Sequence, residues 1–307
     1  MTVPMTAISN LKGGVGKSTT TVMLADGLAY YYGAEVLVVD LDPQANVSQM
    51  LLTEEGLNRA FEQEKGTYHL LTKFIAGSRP NVADLILPNA VTLSELKKAD
   101  AKDRRAGWIS IIPSHPVIRM KELELEETAY SGNLTPSTLT DALCEHIRAG
   151  IAPLLSFYDY VLFDSPPYLS PLARAMLKLT SNYIVPTTSD YVSVWGTKQF
   201  SEWLMNNVDP QVAENSFVLI TRFKNTKHGR AAERELRDIY LKGRTFGPTI
   251  PESINVLTGM ERGNVDSYRT LRSKYGNLTP DIKRLAEHFA RFTADRKGTD
   301  TPSMIRR

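Results

Sequence analysis

Lys12-Gly13-Gly14-Val15-Gly16-Lys17-Ser18-Thr19 is a glycine-rich loop with one lysine more than phosphate binding requires. Glycines let a backbone curl until consecutive N–H groups point inward at an anion. In the general pattern G-x-x-x-x-G-K-[ST], the lysine reaches the β- and γ-phosphates and the following hydroxyl ligates Mg²⁺. Lys17 and Ser18 stand at those two positions, while Leu11 replaces the opening glycine and makes the pattern deviant. Lys12 lies at the start of the loop, where its side chain points away from the loop's own nucleotide. It needs a separate explanation.

The flanking sequence supports the motif. Thr6-Ala7-Ile8-Ser9-Asn10 is a short β-type run before the loop, and Lys17 to Tyr32 reads as a helix that Gly33 would stop. A triphosphate cradled by residues 12–19 would sit on the positive end of that helix. Two further strands end in acids. Val36-Leu37-Val38-Val39-Asp40-Leu41-Asp42 places Asp40 and Asp42 two residues apart, on one side of the strand if the chain stays extended. Tyr160-Val161-Leu162-Phe163-Asp164 is the Walker B arrangement, whose carboxylate holds Mg²⁺, often through water. A lone Asp after a strand is commonly a turn or helix cap. Three of them downstream of such a loop argue for a site.

With KGGVGKSTTT, VLVVDLDPQAN, YDYVLFDSPP and YIVPTTSDY in that order, the chain resembles the ParA/MinD family of deviant-Walker ATPases, and ParA partition proteins most of all. VLITRF, IPESINV and a terminal amphipathic helix match more loosely, so the resemblance runs from about Met5 to Arg296. It implies ATP and Mg²⁺ as cofactors and a homodimer closing around two ATP molecules. Lys12 would then neutralise phosphate on the partner's nucleotide, through contacts of the strong, charge-assisted kind. Asp42 would position or activate the attacking water; Asp40, Asp164 and Ser18 would tend the Mg²⁺. The adenine would lie near Thr221-Arg222 and the Pro251 loop, although either could equally be strand-end packing. The resemblance further implies a cytoplasmic, nucleoid-associated protein that binds duplex DNA without sequence preference and answers to a ParB-like adaptor.

The rest of the sequence is consistent with one α/β domain spanning 1–307: a mostly parallel twisted sheet with helices on both faces, of P-loop NTPase type. Trp108–Ile112, Tyr183–Thr187, Phe217–Thr221 and Thr249–Ile250 are expected strands, alternating with helical segments such as Asp141–Arg148. A variable helical segment is expected over about 53–107, including a charged run from Lys97 to Arg105, with a polar tail from about 297 to 307. Cys144 is the single cysteine among 307 residues, which excludes a disulfide framework and disfavours iron–sulfur chemistry. It reads as packing, as does His69. No apolar run approaches the ~20 residues that span a bilayer, and the N-terminal residues carry no signal-peptide pattern.

Charge is unevenly divided. The chain is formally +2, yet residues 222–307 hold 19 Lys/Arg against 10 Asp/Glu, and the remainder 17 against 24. A basic end behind a neutral total suggests a polyanion partner. The candidate DNA contacts are Lys224, Lys227, Arg230, Arg234 and Arg237, the last three sharing a helix face, and a second group around Arg269, Arg272 and Lys274. Interleaved Glu233, Glu235 and Asp238 allow a merely solvated helix instead. Where relatives often read IPRNVR, this chain has Ile250-Pro251-Glu252-Ser253-Ile254-Asn255.

With the loop beginning at residue 12, no operator-reading domain is expected before it. The apolar stripe Ile282, Leu285, Ala286, Phe289 and Phe292 is expected to pack in the core rather than anchor to a membrane. No tyrosine follows Tyr275, unlike the tyrosine-rich tails of related kinases. Three classes follow: DNA segregation, the same cycle positioning a protein cargo such as a chemoreceptor cluster or microcompartment, and an amide-forming or biotin-pathway enzyme. Lys12 and the DLDPQ acids argue against the last, and a MinD-like membrane ATPase is the lesser alternative.

Overall fold

A computed structural model of the chain describes residues 3–78, 81–90, 93, 96, 107–240, 245–253, 268 and 270–297. The order of elements is β1 (Met5–Ile8), α1 (Lys17–Tyr32), β2 (Glu35–Asp40), α2 (Asn46–Leu51), α3 (Glu54–Glu62), α4 (Thr67–Ile75), β3 (Trp108–Ile112), α5 (Ile118–Ser131) and α6 (Pro136–Ile151). Then come β4 (Tyr160–Asp164), α7 (Pro171–Leu179), β5 (Asn182–Thr188), α8 (Tyr191–Asn207), β6 (Ser216–Thr221), α9 (Lys227–Tyr240), β7 (Thr245–Phe246), α10 (Leu271–Tyr275) and α11 (Thr279–Lys297). The strands form one sheet in the order β3-β2-β4-β1-β5-β6-β7, with every pairing parallel.

The strands are almost wholly apolar because helices cover both faces of a parallel sheet. Alternation along each strand divides the core. Val36 and Val38 of β2 pack with α1 and α11, whereas Leu37 and Val39 pack with α6 and α7. In β6, Phe217 and Leu219 join the first layer, while Val218 and Ile220 face α8 and α9. The central strands bring their carboxyl ends together: Asp40 pairs in register with Asp164, and Asp164 with Ile8 just before the loop. Ligands of open α/β sheets bind at that edge, where the strand order reverses.

Gly33 ends α1 in the left-handed region at φ 62°, with its N–H on the Leu28 carbonyl. The stripe Ile282, Leu285, Ala286, Phe289 and Phe292 is buried, as expected for core packing. Its close fit to α1 depends on Gly27, where an added Cβ would come within 3.1 Å of both Ala286 and Ile282. Cys144 is a free thiol buried in the α6 layer. His69 contacts the Phe61 carbonyl at 3.1 Å and packs on that ring.

Three expectations need correction or restriction. The last strand is Thr245–Phe246 rather than Thr249–Ile250. Pro248 and Pro251 flank that stretch and cannot donate to a ladder. Ile250 bonds the end of β6 all the same, through its N–H to Ile220 and its carbonyl from Phe223. The expected segment 53–107 supplies α3 and α4, and the charged run Lys97–Arg105 lies outside the described residues. Lys274 does not belong to a basic surface. Its Nζ lies 2.6 Å from Asp26 Oδ2 with both side chains essentially inaccessible (1% and 0% exposed), and the Tyr275 hydroxyl donates to the same oxygen at 2.6 Å.

This buried cluster joins α1 to α10. Removing one member of a buried ion pair costs about 3–5 kcal/mol, because the other charge loses its compensation. Asp26→Ala is therefore expected to lower unfolding free energy by about that amount in denaturant titration, and adding Lys274→Met should restore part of the loss. A second effect comes from His288 on α11, whose ring meets Phe217 edge-on at 4.9 Å. Burial, and then Arg291, lower its pKa. The unfolded chain therefore takes up a proton that the folded chain resists. This contribution to stability is complete above the unfolded pKa of about 6.5 and is lost as pH falls below it. His288→Phe is expected to flatten unfolding stability between about pH 7.5 and pH 5, as read by thermal melts at both.

Candidate functional site

The glycine-rich loop crosses the carboxyl end of β1, and its shape rests on backbone conformations that side chains rarely adopt. Gly14 and Gly16 have φ of 72° and 82°. Open space surrounds Gly14, so conformation and not crowding demands glycine there. Val15 is buried, and the Thr221 hydroxyl at the end of β6 donates to its carbonyl at 2.7 Å, tying the loop down.

Lys17 turns inward and is buried, with Nζ donating to the Lys12 carbonyl at 3.1 Å. Burial lowers its pKa against the opposing pull of Asp164 and Asp42. The Ser18 hydroxyl donates to Asp164 Oδ2 at 2.7 Å, and Thr21 to Oδ1 at 3.0 Å. Asp164 is completely buried, and burial, followed by the neighbouring Asp40, raises its pKa well above the carboxylate range.

Asp40 and Asp42 do not share one extended strand face, because β2 ends at Asp40. The Asp40 carboxylate instead accepts from the N–H of Asp42 and from both the N–H and the hydroxyl of Ser48. It thereby fixes the turn from β2 into α2. Burial pushes it up to about 7 in spite of those bonds. Asp42 is 5% exposed and accepts from the Gln44 N–H at 2.9 Å. Burial raises its pKa too, with Gln44 and Lys17 opposing. Lys17, Ser18, Asp40, Asp42 and Asp164 thus come together from three strand ends.

Lys12 faces the other way. Its Nζ lies 3.1 Å from Asp190 Oδ1 and 2.5 Å from the Ser193 hydroxyl. Asp190 caps α8 by accepting from the Ser193 N–H at 2.9 Å, and it also accepts from the Thr188 hydroxyl at 2.5 Å. Partial burial opposes its ionisation. Bonds from Ser193, Thr188 and Lys12 outweigh that and hold the carboxyl well below the usual range. Asp190 was not singled out in the sequence, since an acid after a strand reads equally well as a simple helix cap.

Beside the loop, Thr19, Met23, Thr221, Arg222, Ile250 and Pro251 line a mainly apolar slot suited to a flat base. Arg222 occupies the left-handed region at φ 49°. A neighbouring cavity of about 460 Å³ is shared by Lys12, Asp190, Arg222, Lys224, His228 and Glu252. Glu252, the departure from IPRNVR, pairs with Arg222 at 3.3 Å and Lys224 at 3.1 Å. A third cleft of about 450 Å³ opens beside Asp42 and is bordered by Gln44, Arg119 and Tyr168. Here the fully buried Glu122 accepts from Arg119 at 3.1 Å and from the Tyr168 hydroxyl at 3.2 Å. Arg119 and Glu122 lie one helical turn apart on α5, whereas nothing in the sequence marks Tyr168, 46 residues on from Glu122, as their neighbour.

The expected DNA-contacting residues are divided. Lys227, Arg230 and Arg234 are exposed on α9, while Arg237 is tied to Glu233 at 2.8 Å and Lys224 to Glu252. Arg272 is exposed on α10, and Arg269 lies outside the described residues. Leu271 and Tyr275 of α10 pack in the layer of α1, whereas Ala232 and Leu236 of α9 pack in the layer of α8. Among the described residues, the helices that carry Arg272 and residues 227–237 therefore pack on opposite faces of the sheet.

A family profile described as an AAA domain matches residues 3–216. The sporulation initiation inhibitor protein Soj of Bacillus subtilis is 30% identical over 281 residues, covering 91% of this chain and 96% of that protein. The chromosome partitioning protein ParA of Myxococcus xanthus is 26% identical over 255 residues, covering 81% and 75%. Among solved structures, a plasmid partition protein of Borrelia burgdorferi bound to AMPPNP superposes with a TM-score of 0.65 at 20% identity, over 94% of this chain and 99% of that one. Cobyrinic acid a,c-diamide synthase of Mycobacterium smegmatis, with a bound ATP analog and magnesium, superposes at 0.63 with 19% identity, over 99% and 100%. At these identities the two structures establish a shared P-loop fold and leave function to the site.

Proposed function

The chain belongs to the ParA/MinD family of deviant-Walker ATPases, and on that premise we propose that it closes into a homodimer on ATP, binds duplex DNA non-specifically in that state, and lets go after slow, partner-stimulated hydrolysis. The observation that carries this reading is the opposed pair of lysines in one loop. Lys17 is buried facing the acids at the strand ends, and Lys12 turns to the other side of the loop, its half-buried ammonium against Asp190 and Ser193. A single bound nucleotide needs only the first. A second cation standing apart from that cradle suits a triphosphate presented by another subunit, which would otherwise repel its counterpart.

The residues present suit ATP and Mg²⁺. Asp40 and Asp164 are buried in register beside each other with raised pKa values, and a bound cation relieves such crowding. Among the described residues no group of three or more His, Cys, Asp or Glu side chains is placed to hold a metal ion. Ser18 and Asp164 would hold the ion, with Asp40 behind them. Bound there, it would neutralise charge developing on the phosphoryl oxygens. Lys17 would contact the β- and γ-phosphates, loop N–H groups of residues 13–19 would cradle them, and Asp42 would orient the attacking water. The Arg222–Pro251 slot would take the base.

For the partner, exposed Lys227, Arg230 and Arg234 support sequence-independent contacts to phosphate. Segregating DNA with a ParB-like adaptor is the reading that relatives named as partition proteins support. The same cycle could serve a protein cargo, a choice made by the adaptor. No helix among the described residues is long and apolar enough to cross a membrane. Binding of random-sequence duplex DNA, with and without ATP and at two salt concentrations, tests the DNA step. Binding is expected only with ATP, with log K falling against log salt by about 0.9 per phosphate neutralised. Arg234→Ala should weaken it for all sequences alike. Salt-insensitive binding, or none with ATP, would exclude the DNA role.

A further inference from the structure

We propose that the first turn of α8 is the apolar half of the contact with a second copy of this chain, and that Asp190 at its tip holds Lys12 back until that copy arrives. This rests on the dimer reading above and names the surface and the restraint that act at that site.

Tyr191, Val192 and Trp195 are 74%, 64% and 60% exposed, among the most exposed large apolar residues described. At offsets of 0, 1 and 4 they fall within about 100° of one another around the helix, so they form one patch. The opposite side of α8 is core, with Val194, Phe200 and Leu204 buried against β5 and β6. Isolated apolar residues on a surface need no explanation, but adjoining aromatic ones mark contact sites.

The identity of the occupant follows from position. The patch begins at the residue after Asp190, and Asp190 is the carboxylate that holds the Lys12 ammonium. Any subunit near enough to receive Lys12 on its phosphates must also cover the turn from which Lys12 departs. A second copy, which presents the same lysine and the same patch, meets both conditions at once.

The restraint follows from the hydrogen bonds. In this structure Lys12 Nζ is engaged by Asp190 and Ser193, and Thr188 braces the same carboxylate. Reaching across a subunit boundary takes the ammonium out of these contacts. The exchange favours the crossing only when the opposing site offers more negative charge than one carboxylate, as a triphosphate does. Asp190 would then set how much nucleotide-loaded partner is needed for closure.

The test uses the full chain with Mg²⁺ and AMPPNP in sedimentation velocity, alongside Trp195→Ala and Asp190→Asn. Asparagine keeps the helix cap, since it serves that position as well as aspartate. Melting curves and binding of a fluorescent nucleotide by each variant establish that fold and nucleotide site are retained. Trp195→Ala is expected to bind nucleotide as the parent does and to dimerise at least about tenfold more weakly, as for a central aromatic anchor. Asp190→Asn is expected to dimerise at lower protein concentration than the parent. Parent-like dimerisation of Trp195→Ala overturns the surface, and parent-like dimerisation of Asp190→Asn overturns the restraint. If the parent itself stays monomeric, the dimer reading fails and this inference with it.

Discussion

Asp42→Ala is expected to bind ATP, dimerise, and remain locked in that state, with turnover reduced by about 10²- to 10⁴-fold. Asp42 is the acid that combines proximity to Lys17 with access from outside. Its carboxyl is nearly buried, feels the Lys17 ammonium, and forms the wall of the cleft shared with Gln44, Arg119 and Tyr168. Asp40 and Asp164 are enclosed and committed, one to the turn at Ser48 and the other to Ser18 and Thr21. Phosphoryl transfer depends mainly on positioning and charge, so losing the carboxylate proposed to orient water should stop chemistry while leaving the proposed phosphate cradle whole. Phosphate release and sedimentation on the same sample check both halves. Parent-like turnover would remove Asp42 from the reaction.

Lys12→Ala is expected to produce the opposite separation. Nucleotide affinity of the single subunit should change little, because on this reading Lys17 and the loop N–H groups would supply the cradle, and the Lys12 ammonium lies on the Asp190 side. Dimerisation should fall sharply. Truncating one partner of a desolvated charge pair costs about 2–5 kcal/mol, a factor of about 30 or more in affinity. Fluorescent-nucleotide titration and sedimentation in AMPPNP separate the two effects. A variant that lost nucleotide binding would mean that Lys12 serves its own site.

How much of this could be read in the chain depends on how local each feature is. The loop, α1 and the strands ending in Asp40 and Asp164 were legible because strand, glycine turn and helix follow one another within a few residues. The capture of Asp40 by Ser48 was not, since it depends on the strand stopping at residue 40 so that the next turn closes on the carboxylate. Lys274 counted as surface charge until the fold brought it 2.6 Å from Asp26, a residue 248 positions away. The basic residues of α9 and α10 read as one end of the chain, yet alternation along β6 assigns their packing to opposite layers. The contacts of Asp190 with Lys12, of Glu122 with Tyr168, and of Glu252 with Arg222 and Lys224 join distant positions that no periodicity indicates.

The central claim is that a lysine handed across a twofold axis joins two nucleotide-loaded subunits. Sedimentation velocity of the parent chain and Lys12→Ala, each with Mg²⁺ and AMPPNP, tests it most directly. The account predicts a dimer for the parent and a nucleotide-loaded monomer for the variant. A parent that stays monomeric, or a variant that dimerises equally well, would contradict it.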